Sequence, residues 1–144
     1  MKAPVRRRKE EMMQTKTLQS VHDRLAPDGS QIRHLLDLDG GKGSLAHCVL
    51  PAGQVSVAER HKRVGEIWYF VQGLGQVWRR SVGERQKEET VDVGPGACLT
   101  IEPGEHFQFR NTGAEPLTFI IATIPSWPGP EEAVEVEGRW RGDS

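Results

Sequence analysis

The chain has 144 residues and is short of several things, each of which excludes a class of protein. No apolar run approaches the roughly 20 residues that cross a bilayer as a helix. A formal net charge of -1 gives no general attraction to nucleic acid or to anionic lipid. Two cysteines, Cys48 and Cys98, are too few for a disulfide scaffold and are not in the CxxC spacing of a metal knuckle. Each lies in an apolar run, where a buried free thiol in a reducing cytoplasm is expected. Helical periodicity and tandem repeats are missing as well, which leaves short strands as the building material.

Turn residues are abundant: sixteen glycines and nine prolines divide the chain into short segments. Gln31 to Leu38, Ser44 to Leu50, Ile67 to Gln72, Gln76 to Arg80 and Glu88 to Val93 read as strands. Ala97 to Ile101, Phe107 to Arg110 and Leu117 to Thr123 continue the series. Signals such as Gly94-Pro95-Gly96 and Glu102-Pro103-Gly104 separate them. Strands of about five residues with turns every 8 to 12 residues, roughly, describe an all-β sandwich or barrel. A hydrophobic fraction of 36% against 27% charged supplies one core, so residues 20–124 are expected as a single β-barrel domain.

Two flanking segments differ from this pattern. In residues 1–19, Lys2, Arg6, Arg7, Arg8 and Lys9 outnumber Glu10 and Glu11, with no apolar stretch behind them to make a secretion signal. This predicts a disordered basic arm, to which no function is assigned. In residues 125–144, Pro125, Pro128 and Pro130 oppose regular pairing, while Trp127 and Trp140 are large apolar anchors. The tail is expected to pack on the barrel or on a partner subunit.

The chemistry concentrates between Gly53 and Gly73. Glu59 and His61 are two apart, so on a strand both project to one face. After a turn through Lys62 to Gly65, Glu66 opens the next strand, with Trp68 and Phe70 on its face and Tyr69 opposite. Carboxylates and an imidazole converging in an apolar setting suit a divalent-metal or acid–base site. Further along, alternation puts Phe107 and Phe109 on one face and His106, Gln108 and Arg110 on the other. A bulge at Gly104-Glu105 would exchange those faces and turn His106 inward. His47, if inward-facing, is a further nitrogen donor.

These residues carry a resemblance. Gly53, Glu59, His61, Glu66 and Gly73 resemble the first motif of the cupin superfamily, with glutamate where that motif has its first histidine. Gly96 to Asn111 is similar to the second motif, with Phe107 at the histidine position and His106 one residue early. The resemblance implies a double-stranded β-helix jelly-roll barrel and a small single-domain cupin. It also implies a divalent ion (manganese, iron, nickel or zinc) held by His61, Glu66, His106 and Glu59, in a pocket lined by Trp68, Phe107, Phe109 and His47. Two function classes stay open. One is an enzyme of isomerase, oxygenase or decarboxylase type acting on a small polar molecule; the other is a metal-free cupin that binds or senses such a ligand. The expected partners are that ligand and a second copy of the chain in a homodimer, with neither nucleic acid nor membrane.

Overall fold

The computed structural model describes residues 13–26, 30–83 and 86–141, so the basic cluster of the amino-terminal arm lies outside the described residues. In chain order the strands are β1 (Arg24–Leu25), β2 (Gln31–Asp37), β3 (Ser44–Leu50), β4 (Glu59–His61), β5 (Gly65–Gln72) and β6 (Gly75–Arg80). They continue with β7 (Glu88–Val93), β8 (Cys98–Ile101), β9 (His106–Asn111), β10 (Leu117–Ile124) and β11 (Ala133–Glu135). They form two antiparallel sheets, one in the order β1-β2-β3-β10-β5-β8 and the other β11-β4-β9-β6-β7. This is the all-β double-stranded β-helix. No helix among the described residues is long and apolar enough to cross a membrane.

Period-two alternation decides which side chains enter the core. On β5, Glu66, Trp68 and Phe70 are buried while Ile67, Tyr69 and Val71 are exposed. On β8, Leu99 and Ile101 turn inward, which leaves Cys98 on the exposed face. That corrects the expectation of two buried thiols: Cys98 sits at an outward position of an edge strand, and only Cys48 is buried. The centre is a lattice of rings. Trp68 packs on Phe119 at 4.7 Å and edge-on to Phe109 at 5.3 Å, and Phe119 contacts Phe70 at 4.7 Å. Each fully buried ring of this kind contributes about 1.5–3 kcal/mol of transfer free energy.

Two motif residues act on the backbone rather than on a ligand. Gly73 adopts φ 86°, and a Cβ there would lie 2.4 Å from the carbonyl oxygen of Pro116. Any side chain would push the β5–β6 turn off β10. Asn111 donates through Nδ2 to Leu50 O at 3.0 Å and Glu115 O at 2.7 Å, and its Oδ1 accepts from Gly113 N–H. It closes the β9–β10 turn against the end of β3.

Both flanking segments lie against the barrel where they are described. Gln14 Nε2 donates to Asp37 O and Lys16 Nζ to His34 O, so residues 13–19 run beside β2. The carboxyl-terminal tail contains a strand that its prolines argued against: β11 pairs with β4, with Ala133 opposite His61 and Glu135 opposite Glu59. The prolines are confined to the approach, and Ala133-Val134-Glu135 is free to pair.

Candidate functional site

The hairpin from β4 to β5 changes sheets, because β4 belongs to the five-stranded sheet and β5 to the six-stranded one. Glu59 and His61 therefore enter the barrel from one wall, Glu66 and Trp68 from the other. Glu59, His61 and Glu66 are only 4%, 4% and 7% exposed. They line a cavity of about 70 Å³ together with Trp68, Phe107 and Phe109.

Within it, the Trp68 indole N–H donates to Glu66 Oε1 at 2.8 Å and fixes the carboxylate. The other oxygen, Oε2, is 3.8 Å from His61 Nδ1, beyond hydrogen-bond range. His61 is held between two rings, Phe107 at 5.0 Å and Trp127 at 4.9 Å, both edge-on. Burial among these rings lowers its pKa to about 4, with Glu132 opposing the shift more weakly. The imidazole is neutral at physiological pH, and its buried Nδ1 has no hydrogen-bond partner. A neutral, unpaired ring nitrogen in an apolar cavity can accept a proton or a hydrogen bond, and burying it unpaired costs about 1–3 kcal/mol.

Glu132, from the tail, holds the turn that carries His61. Its carboxylate accepts the backbone N–H groups of Arg63 and Val64, the latter at 2.7 Å. Burial raises the Glu132 pKa, but these two bonds, with His61 and Arg63 nearby, leave it below the usual carboxylate value.

Two residues expected at the site are placed elsewhere. Register between β9 and β6 is unbroken from Gly75↔Asn111 to Arg80↔His106. No bulge rotates the strand, so Phe107 and Phe109 face the cavity and His106 faces outward, its pKa lowered by burial and by Arg80 and Arg60. His47 is likewise on the outward face of β3, since Ser44, Ala46 and Cys48 are the ones that line the cavity. Burial and Arg33 lower its pKa. Among the described residues, no group of three or more His, Cys, Asp and Glu is placed to hold a metal ion. The donor set does not fit a resident metal: Glu59, His61 and Glu66 are not grouped to share an ion, and His106 is on the opposite face of β9.

Other lining residues escaped the sequence reading. His34 reaches the cavity beside a register shift in β2, and its Nε2 is 2.8 Å from Asp37 Oδ2. Arg24, Ser44, Thr123 and Trp127 also line the cavity. Trp127 was the one with a signal, as a large ring in an otherwise irregular tail. Arg24 had none.

The comparisons agree with this architecture. A protein of Methanocaldococcus jannaschii, uncharacterized protein MJ1618, is 28% identical over 123 residues, covering 81% of this chain and 93% of its own. A Klebsiella pneumoniae protein with a double-stranded β-helix domain superposes with a TM-score of 0.61 at 16% identity, over 76% of this chain and 85% of that one. A Thermotoga maritima protein described as a predicted oxalate decarboxylase gives 0.62 at 21% identity, over 76% and 99%. The cupin domain model matches residues 46–123, more than half of the chain, including Glu59, His61 and Glu66. The chain belongs to the cupin domain family.

Proposed function

We propose that this cupin binds a small polar organic molecule inside the barrel without a resident metal ion. The observation that carries the reading is the convergence of buried Glu59, neutral His61 and Glu66 on one aromatic-walled cavity. Sites for small molecules combine apolar walls with a few convergent polar groups, and this one has both. Trp68, Phe107 and Phe109 would form the walls. The His61 imidazole and the two carboxylates would orient the ligand through its hydrogen-bond donors. Homodimerisation through the outward face of β5 accompanies this reading.

The test has two measurements. Elemental analysis of protein purified without chelator should find less than stoichiometric manganese, iron, nickel or zinc. A fragment screen by NMR should find compounds that shift the His61 and Trp68 ring resonances, and His61→Phe should abolish those shifts. Stoichiometric metal that disappears in His61→Ala would overturn the metal-independent reading.

Proton-transfer catalysis is a second reading, favoured by one observation. A neutral imidazole whose Nδ1 is 3.8 Å from Glu66 Oε2 is a base positioned beside a second group able to carry a proton. A ligand that exchanges a carbon-bound proton for deuterium only in the presence of protein with His61 intact would support it.

A further inference from the structure

Trp127 lines the cavity beside His61, and its position there leaves polar atoms unpaired. The tail is fixed on either side of it. Ser126 Oγ donates to Gly43 O at 2.7 Å and Trp127 N to Ser44 Oγ at 3.1 Å, while further along Glu132 grips the turn at Arg63 and Val64. Between these anchors the indole covers His61 at 4.9 Å. Yet the indole Nε1 and His61 Nδ1 are both buried and both without a hydrogen-bond partner. Each such atom costs free energy that a ligand with matching groups would recover. A tryptophan serving only as packing normally has its N–H satisfied, as Trp68 and Trp78 do here on Glu66 and Glu88.

Charge along the cavity specifies the ligand further. The interior presents Glu59, Glu66 and the unpaired His61 Nδ1, which can accept from a hydrogen-bond donor on a ligand. Arg24 also lines it, exposed and with its guanidinium carbon 6.0 Å from the Trp127 ring, and it calls for an anion. The cavity volume of about 70 Å³ is under half of the ~150 Å³ that holds a benzene ring. It accommodates roughly three heavy atoms by that measure. The remainder of a ligand would pass beneath Trp127 towards Arg24.

Building on the binding function above, we propose that Trp127 is a ligand-contacting gate for short acids that carry a donor group. The hydroxyl or ammonium of the acid sits against His61 and the buried carboxylates. Its carboxylate accepts from the displaced indole N–H and pairs with Arg24.

The experiment uses the full chain labelled with ¹⁵N, with the Trp127 indole N–H resonance assigned by its loss in Trp127→Phe. Four probes are titrated: glycolate and glycine, which have both groups, acetate, which lacks the donor, and ethylene glycol, which lacks the anion. Glycolate or glycine should shift the Trp127 indole signal and bind at least about tenfold more tightly than acetate or ethylene glycol. Preference between glycolate and glycine tells hydroxyl from ammonium. Trp127→Phe should weaken the preferred probe about tenfold with the rest of the spectrum unchanged, and Arg24→Gln should remove the advantage over ethylene glycol. Wild-type affinity in Trp127→Phe overturns the gate. Failure of both two-group probes, or equal binding of all four, overturns the ligand class. If an uncharged fragment still shifts His61 in that case, the binding function stands while this inference falls.

Discussion

The Glu132 carboxylate accepts the backbone N–H of Val64 at 2.7 Å and that of Arg63 beside it, across 68 residues of sequence. A residue of the tail thereby completes the β4–β5 turn on which His61 stands. Turn N–H groups left without acceptors are costly when buried, and Val64 is fully buried. Glu132→Ala should destabilise the fold by about 2–4 kcal/mol, since two charge-assisted bonds are lost together. Glu132→Gln keeps one carbonyl acceptor and should cost about half as much. Urea denaturation compares the two. Equal, small losses would show that the tail is not a structural clamp.

Acid should destabilise the protein in two windows with different origins. Folding lowers the His61 pKa from 6.5 to about 4, so on acidification the unfolded chain binds its proton first. The associated stability is whole above pH 6.5 and is lost as pH falls towards 4, by about 3 kcal/mol at the limit. Glu132 is also lowered, from 4.5, so its contribution is whole above that value and is lost only as pH falls through its folded pKa below it. His47 and His106 are lowered too and add to the first window. Urea unfolding between pH 7 and 4 should therefore show a slope that His61→Gln reduces. An unchanged slope in that variant would mean that His61 is not held neutral.

Much of the barrel was legible because alternation and turn chemistry are local. Ser44 to Leu50 and Glu88 to Val93 are strands with the bounds their sequences suggest, and Phe107 and Phe109 face the cavity as the alternation of β9 requires. The site was legible to the extent that it sits on one hairpin: Glu59, His61 and Glu66 line one cavity. His106 shows where motif likeness and strand phase conflict. One residue of offset is half a period, and without a bulge phase decides. The tail was least legible. Glu132 as an acceptor for a distant turn, and Trp127 over His61, are tertiary contacts with no periodicity to announce them.

The end of the tail is held by one side chain behaving as a strand. Gln108, 1% exposed, accepts from Trp140 N and donates to Trp140 O, both at 2.8 Å, and its Nε2 also reaches Ser56 O. Arg110 lies over the Trp140 ring at 4.4 Å. Gly138 is required nearby, since a Cβ there would come 2.5 Å from Gln108 Oε1. Gln108→Leu should cost about 2–4 kcal/mol by stranding several backbone groups at once. Gly138→Ala should release Trp140 with a smaller loss, seen as a red shift in tryptophan emission. If Gly138→Ala leaves the emission unshifted, the tail tolerates what the geometry forbids.

The outward face of the six-stranded sheet should be covered by a second copy of the chain. Ile67, Tyr69 and Val71 on β5 are 43%, 50% and 43% exposed, and Leu45 and Ile124 on neighbouring β3 and β10 are exposed as well. A contiguous apolar sheet face of this kind marks an interaction surface, and a twofold axis lets one such face cover itself. The tryptophan tail is not free to do so, because it is occupied on its own barrel. Light scattering at about 10 μM should give a dimer's mass, in the range where a standard-sized interface holds. Tyr69→Glu combined with Ile67→Lys should shift that mass to the monomer while leaving the circular dichroism spectrum intact. A wild-type monomer at this concentration would leave the apolar row without the partner argued for it.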